Sequence, residues 1–261
     1  MERSSFFGRQ TCCITALFNG SSIASLLANA RNAQFAGADA IAMELNQLPL
    51  EERTLENWRR IFYDVRLPMM CLDYRNDKFL GGDDEARQKD LLVCAQAGAE
   101  VIDVMGDLYA PNEFQLTREP EAVARQKALI EQLHGLGAKV VMSSHLSIAR
   151  TREQVLEHLQ CQAERGADIC KIVTFCNTEQ EFLESVATMM LLNREMDRPF
   201  IYLCSGTYGR MVRMLGPQLG VAIEFAVSGY AADSPYNQPT IQAFKSVMAN
   251  THWNINDLKR T

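Results

Sequence analysis

Short, uninterrupted apolar runs alternate along the chain with longer stretches in which apolar residues recur at helical spacing. The runs are Cys12–Leu17, Ala40–Leu45, Pro68–Tyr74, Val101–Met105, Lys139–Ser143, Ile169–Thr174, Phe200–Cys204 and Val221–Phe225. They recur about every 25 to 35 residues, with room for a helix between most of them. Continuous apolar strands of this kind are buried on both faces, as in parallel sheets. Three runs are entered through one cadence: Ala36-Gly37-Ala38-Asp39, Ala97-Gly98-Ala99-Glu100 and Arg165-Gly166-Ala167-Asp168, with Leu136-Gly137-Ala138-Lys139 a near variant. Each glycine suits the position that ends a helix before the chain turns into a strand.

Eight such strand and helix units in 261 residues predict a (β/α)8 barrel, a fold whose catalytic groups sit at the C-terminal ends of its strands. A doubly wound open sheet is the rival architecture. It ordinarily carries a Gly-rich phosphate loop after its first strand, and here Phe18-Asn19-Gly20-Ser21-Ser22 is neither GxGxxG nor a P-loop. No low-complexity segment or Pro-rich linker interrupts the pattern, so residues 1–261 are expected to form a single barrel domain.

Composition removes several classes of function. Lys and Arg total 26 against 32 Asp and Glu, a net charge of −6 that offers no footprint for nucleic acid or an anionic membrane. Neither the start, Met1-Glu2-Arg3-Ser4-Ser5-Phe6-Phe7, nor any later segment is apolar enough for a signal peptide or a membrane helix, so a cytosolic protein is expected. The eight cysteines, at 12, 13, 71, 94, 161, 170, 176 and 204, lie mostly in apolar runs and never as CxxC. They read as buried reduced thiols, with neither zinc nor disulfides. The expectation is a metal-free, cofactor-free protein acting on a small molecule.

Lys171 carries the most information. It sits in the middle of Ile169-Cys170-Lys171-Ile172-Val173-Thr174, where an unpaired ammonium is costly and the group responds by lowering its pKa. An unperturbed lysine, with a pKa of about 10.4, is neutral in only roughly one molecule per 2,500 at pH 7. A buried amine is therefore a candidate Schiff-base nucleophile. The competing reading is a lysine that escapes at the barrel rim or pairs with Asp168; Lys139, which opens its strand, belongs at the inert bottom face.

His145 closes the preceding strand, where it can move protons beside an imine or simply cap the strand end. The other histidines, 134, 158 and 252, fall in helical or terminal stretches and read as structural. Arg213, in the loop and helix after the seventh strand, and Arg75, after the third, are candidate carboxylate ligands or merely solvated cations. The polar stretch 229–239 after the eighth strand is a candidate lid offering Ser234 and Gln238, or an ordinary barrel loop.

With these residues in hand, the sequence resembles the type I 3-dehydroquinate dehydratase family from about Gly37 to Gln238. Ser143-Ser144-His145 looks like the family's Ser-x-His, and Ala167-Asp168-Ile169-Cys170-Lys171-Ile172 like its Ala-Asp-x-x-Lys-hydrophobic strand. Val212-Arg213-Met214-Leu215-Gly216 is similar to its Ser-Arg-Leu-Gly segment, and Ser234-Pro235-Tyr236-Asn237-Gln238 to its lid. The resemblance implies a barrel, usually a homodimer, in which Lys171 forms a Schiff base with the ketone of a cyclic keto acid and His145 transfers protons while water is eliminated. It further implies that Arg213 holds a carboxylate and that Ser234 and Gln238 close the site.

Three departures stand beside these matches. The glutamate that orients the family's histidine is replaced in Ile102-Asp103-Val104-Met105 by a thioether. Its Glu-x-Arg on strand two reads Ala42-Met43-Glu44, an anion for a cation, and Arg75 falls one residue late. These changes keep two alternatives open: a Schiff-base aldolase or lyase for a different oxo acid, and a ligand-binding paralogue without turnover.

Overall fold

The computed structural model describes residues 4–75, 83–230 and 238–259. Eight strands alternate with eight helices along them: β1 Cys13–Asn19, α1 Ile23–Phe35, β2 Ala40–Glu44, α2 Leu55–Asp64, β3 Met69–Leu72, α3 Asp84–Ala97, β4 Val101–Met105, α4 Pro120–Gly135, β5 Lys139–His145, α5 Arg152–Glu164, β6 Ile169–Phe175, α6 Glu179–Glu195, β7 Phe200–Ser205, α7 Gly209–Leu215, β8 Ile223–Ala226 and α8 Ile241–Thr251.

Every ladder is parallel, and the order runs β7-β6-β5-β4-β3-β2-β1-β8. Across the remaining seam Ala222 N–H donates to the Phe200 carbonyl at 2.9 Å, so the sheet comes nearly full circle as a (β/α)8 barrel. The rival open sheet is thereby excluded.

Local chemistry explains the repeat. Gly37, Gly98, Gly137 and Gly166 all adopt left-handed φ values between 85° and 107°, the geometry that lets a helix end and the next strand begin. At the opposite ends, Ser22, Thr54, Asp83, Thr151, Thr178 and Thr240 each accept a hydrogen bond from the first turn of the following helix. Strand alternation sorts the apolar residues into two layers. Cys13, Ala40, Met70, Val101, Val141, Ile169, Ile201 and Ile223 fill the inside, while Ile14, Ile41, Ile102, Val140, Ile172 and Tyr202 pack outward against the helices.

All eight thiols are free, and Cys161 alone is less than fully buried. No helix among the described residues is long and apolar enough to cross a membrane. Lys139 is exposed at the strand base, where its Nζ pairs with Asp168 at 3.0 Å, and His134 also meets that carboxylate, at 2.7 Å. Asp168 is thus committed to the bottom of the barrel, and the inward-pointing Lys171 must find another partner.

Candidate active site

That partner is Asp103. Alternation along β4 turns Val101 and Asp103 inward, and alternation along β6 does the same for Ile169 and Lys171. Lys171 is 3% exposed. Its Nζ donates to Asp103 Oδ2 at 3.2 Å and to the Tyr74 hydroxyl at 2.6 Å, and the Tyr74 hydroxyl in turn donates to Asp103 Oδ2 at 2.6 Å. Ser143 Oγ donates to the other oxygen, Asp103 Oδ1. Burial, with the Asp103 charge beside it, pushes the Tyr74 phenol well above its ordinary pKa and keeps it protonated. The rings of Tyr74 and Phe225 stand 5.1 and 4.9 Å from the amine, an apolar and π-rich surround that withholds solvent from it.

The main chain of Lys171 is held as firmly as its side chain. Gln162, fully buried on α5, accepts from Lys171 N–H at 2.9 Å and donates to its carbonyl at 3.0 Å. The same carboxamide donates to Ser144 Oγ at 3.2 Å, and His158 Nε2 meets that hydroxyl at 2.8 Å. Helix α5 therefore fixes β5 and β6 together from behind.

His145 ends β5 at the cavity wall. Its main-chain N–H donates to Gln115 Oε1 at 2.8 Å, and Ser144 Oγ donates to the Gln115 carbonyl at 2.6 Å, so the loop after β4 fixes the strand end. That loop packs closely because residue 106 is glycine: a Cβ there would lie 2.6 Å from the Gln115 carbonyl oxygen. Arg165 clamps it from below through the Gly106 and Thr117 carbonyls. The imidazole itself has no hydrogen-bond partner among the described residues, and Met105 lines the cavity where a carboxylate would have oriented it. Its orientation comes from an edge contact with Tyr74, centroids 4.6 Å apart at 71°. Removal from bulk water, reinforced by the charges of Lys171 and Arg213, holds the ring well below its ordinary pKa and so neutral at pH 7.

The cavity over these groups encloses about 930 Å³ and is also lined by Glu44, Arg75, Asp107, Arg213 and Gln238. Arg213 is buried; its Nε donates to the Cys204 carbonyl at 3.1 Å while Nη1 has no partner among the described residues. Gln238 is likewise buried, with its Oε1 unpaired among the described residues. Arg75 is engaged by two carboxylates, bidentately by Asp84 at 3.0 and 2.7 Å and by Asp107 Oδ1 at 2.7 Å, and it also donates to the Asp107 carbonyl at 2.9 Å. Four of its five N–H donors are thereby used within the protein. Glu44, at the top of β2, stands across the ring from β6 and accepts from Asn46 at 3.0 Å. It also borders a smaller adjoining pocket of about 330 Å³ lined by Asn19, Asn29 and Asn32. Ser234 and most of the expected lid lie outside the described residues. No group of three or more His, Cys, Asp or Glu side chains among the described residues is arranged to hold a metal ion.

Tyr74, Asp103 and Gln115 escaped the reading of the sequence. A signal existed for Asp103, since a carboxylate inside Val101-Ile102-Asp103-Val104-Met105 is as anomalous as a lysine inside its own strand.

A family model described as type I 3-dehydroquinase matches residues 14–254. Among curated proteins, a 3-dehydroquinate dehydratase of Klebsiella pneumoniae is 25% identical over 250 residues, covering 92% of this chain and 93% of the relative. Two solved structures share the fold. The 3-dehydroquinate dehydratase of Geobacillus kaustophilus superposes with a TM-score of 0.79 at 17% identity, covering 93% of this chain and 91% of its own. The type I enzyme of Clostridium difficile, solved with covalently modified comenic acid, gives 0.78 at 18% identity and 93% coverage of each chain. A match spanning nearly every strand, on a barrel that places a buried lysine beneath a top-face cavity, shows that this chain belongs to the type I 3-dehydroquinase family.

Proposed function

We propose that the protein is a Schiff-base-forming hydro-lyase that eliminates water from 3-dehydroquinate or a closely related cyclic keto acid. The observation that carries this reading is the Lys171 amine, withdrawn from solvent at the floor of the large cavity and in contact with both a carboxylate and a phenol. On transfer of its proton the amine adds to the substrate ketone, and loss of hydroxide from the adduct leaves an iminium that acidifies the adjacent C–H. His145, neutral and with a free ring, takes that proton and returns it to the departing hydroxyl. Arg213 directs its unpaired Nη1 to the substrate carboxylate, Gln238 and Ser234 close over the ring, and Arg75 offers its one remaining N–H at the rim.

Glu44 and Met105 favour a second reading, in which the same imine chemistry serves a different oxo acid. An anion at the cavity wall and an adjoining pocket lined by asparagines suit a substrate richer in hydrogen-bond donors than the family's own. On either reading the protein works in the cytosol as a homodimer on a small-molecule keto acid, and analytical ultracentrifugation checks the dimer.

Borohydride reduction in the presence of 3-dehydroquinate, followed by peptide mass spectrometry, tests the central claim. The expected product is a reduced adduct on Lys171, and turnover is expected to build the ultraviolet absorbance of a conjugated enone. Absence of the adduct with any cyclic or linear keto acid defeats the reading. An adduct without the enone selects the second substrate class.

A further inference from the structure

Imine formation asks for more than a neutral amine. The carbonyl oxygen must be protonated as the amine adds, the nitrogen must lose a proton, and the hydroxyl must leave as water. The group that does this must reach both the nitrogen and an oxygen two bonds away from it. No hydrogen bond joins the His145 ring to Lys171 Nζ. The Tyr74 hydroxyl lies 2.6 Å from that nitrogen and equally close to Asp103 Oδ2, with its ring edge-on to His145.

We infer that Tyr74 is a second catalytic residue, the proton carrier of imine formation at Lys171, with Asp103 as the store for the exchanged proton. The inference rests on Lys171 forming the imine and divides the labour around it: Tyr74 serves the nitrogen and the carbonyl oxygen, and His145 serves the substrate carbon.

The protons balance without an outside reagent. Lys171 first passes a proton from its ammonium to Asp103 Oδ2, 3.2 Å away. The amine then attacks the carbonyl carbon, the C=O π electrons move to oxygen, and that oxygen takes the Tyr74 proton. The new N–H⁺ returns a proton to the phenolate, giving a neutral carbinolamine. Tyr74 next protonates the hydroxyl, the C–O bond breaks, water departs and the nitrogen lone pair completes the C=N bond of the iminium. The proton held on Asp103 restores the phenol over 2.6 Å. The net change is ammonium plus ketone to iminium plus water. The Ser143 hydroxyl donating to Asp103 Oδ1 keeps the store oriented throughout.

A purely structural tyrosine, tethering Asp103 and filling space beside His145, would leave the rate of adduct formation unchanged when its hydroxyl is removed. The test is the single-turnover rate of the borohydride-trappable adduct with 3-dehydroquinate, measured for the wild type and for Tyr74→Phe. Thermal shift with the same compound serves as the measure of binding. The expected result is a rate about 10²- to 10³-fold lower at nearly unchanged affinity. Asp103→Asn is expected to lose rate in the same way, whereas His145→Ala should still form the adduct and fail to release the enone. Should Tyr74→Phe not fold, a fluorinated tyrosine at position 74 decides the matter, because it acidifies the phenol while keeping its shape. The rate of adduct formation changes several-fold if this hydroxyl moves a proton. Wild-type rates in Tyr74→Phe, or indifference to fluorination, overturn the inference while the imine reading stands. No adduct in the wild type sinks both.

Discussion

Two walls of one cavity differ in how far their polar groups are satisfied. On the wall formed by β3, β4, β5 and β6, Lys171, Tyr74, Asp103 and Ser143 bind one another, Gln162, Gln115 and His158 fix the strands behind them, and the His145 ring stays free among the described residues. On the wall formed by β7 and β8, Arg213 Nη1 and Gln238 Oε1 are buried without partners among the described residues, as are both oxygens of Glu224 behind them. Buried polar groups ordinarily pair, and each that does not costs stability. The contrast separates two tasks. A nucleophile must be prepared before substrate arrives, so its proton acceptor is built in. Groups that recognise a ligand keep their hydrogen-bonding capacity for it, at the expense of the fold.

Lys171→Met removes the centre of the well-paired wall. Removing the nucleophile is expected to lower kcat/KM by about 10⁴-fold or more and to abolish the reduced adduct. Because it strips Asp103 of its cation, it is also expected to destabilise the protein by about 3–5 kcal/mol, read from urea unfolding. A variant that lost activity at full stability would show that the Lys171 wall is not the tightly coupled unit its hydrogen bonds describe.

The two walls were also unequally legible in the sequence. Lys171 stands out because it interrupts an apolar strand, and the barrel follows from the repeated runs and the glycine cadence that really does end four helices in left-handed geometry. Strand ends were harder. The run read as Pro68–Tyr74 pairs only over Met69–Leu72, and although the inward alternation of Met70 and Leu72 carries on to residue 74, nothing in the sequence says that it outlasts the ladder. Tyr74 turns inward there while the more conspicuous charge, Arg75, goes to Asp84 and Asp107. Gln115 is a residue of a long loop, placed by Arg165 and Gln126 through contacts that span up to 59 positions of sequence, and no local pattern encodes such contacts. His158 reads as a helical, structural residue, and the fold keeps it one, but as the brace of the hydroxyl beside His145.

That brace gives the next largest effect. Burial, helped by the charges of Arg150, Arg165 and Arg118, lowers His158 to about 4. Between pH 6.5 and 4 the unfolded chain takes a proton that the folded protein refuses, so this histidine costs stability as pH falls through that window. Glutamine can keep the bond to Ser144 Oγ without titrating. His158→Gln is therefore expected to gain on the wild type by about 3 kcal/mol between pH 7 and pH 4 in parallel denaturation curves. A constant difference across that range would mean that the β5 brace opens to solvent.

On the less satisfied wall, Arg213→Gln is expected to raise KM by about 10- to 100-fold, the cost of one charged hydrogen bond to a carboxylate, with a smaller change in kcat. Its stability should stay within about 1 kcal/mol of the wild type, because the group removed is already partly unpaired. A loss as large as that of Lys171→Met would erase the distinction between the walls.

The smallest effect sharpens the same distinction at Glu224, which points outward from β8 behind Arg213 and is 0% exposed. Burial raises its pKa well above the ordinary carboxylate value, and the Arg213 charge only partly opposes this. The folded protein therefore holds a proton that the unfolded chain releases above about pH 4.3, so stability is lost as pH rises. Glutamine copies the shape of the protonated acid and cannot ionise. Glu224→Gln should accordingly match the wild type near pH 4 and exceed it by on the order of 1 kcal/mol at about pH 8, followed by thermal melts across the range. If the wild type is instead favoured as pH rises, the Glu224 carboxylate and Arg213 form a stabilising pair, and the β7 and β8 wall is as satisfied as the one opposite.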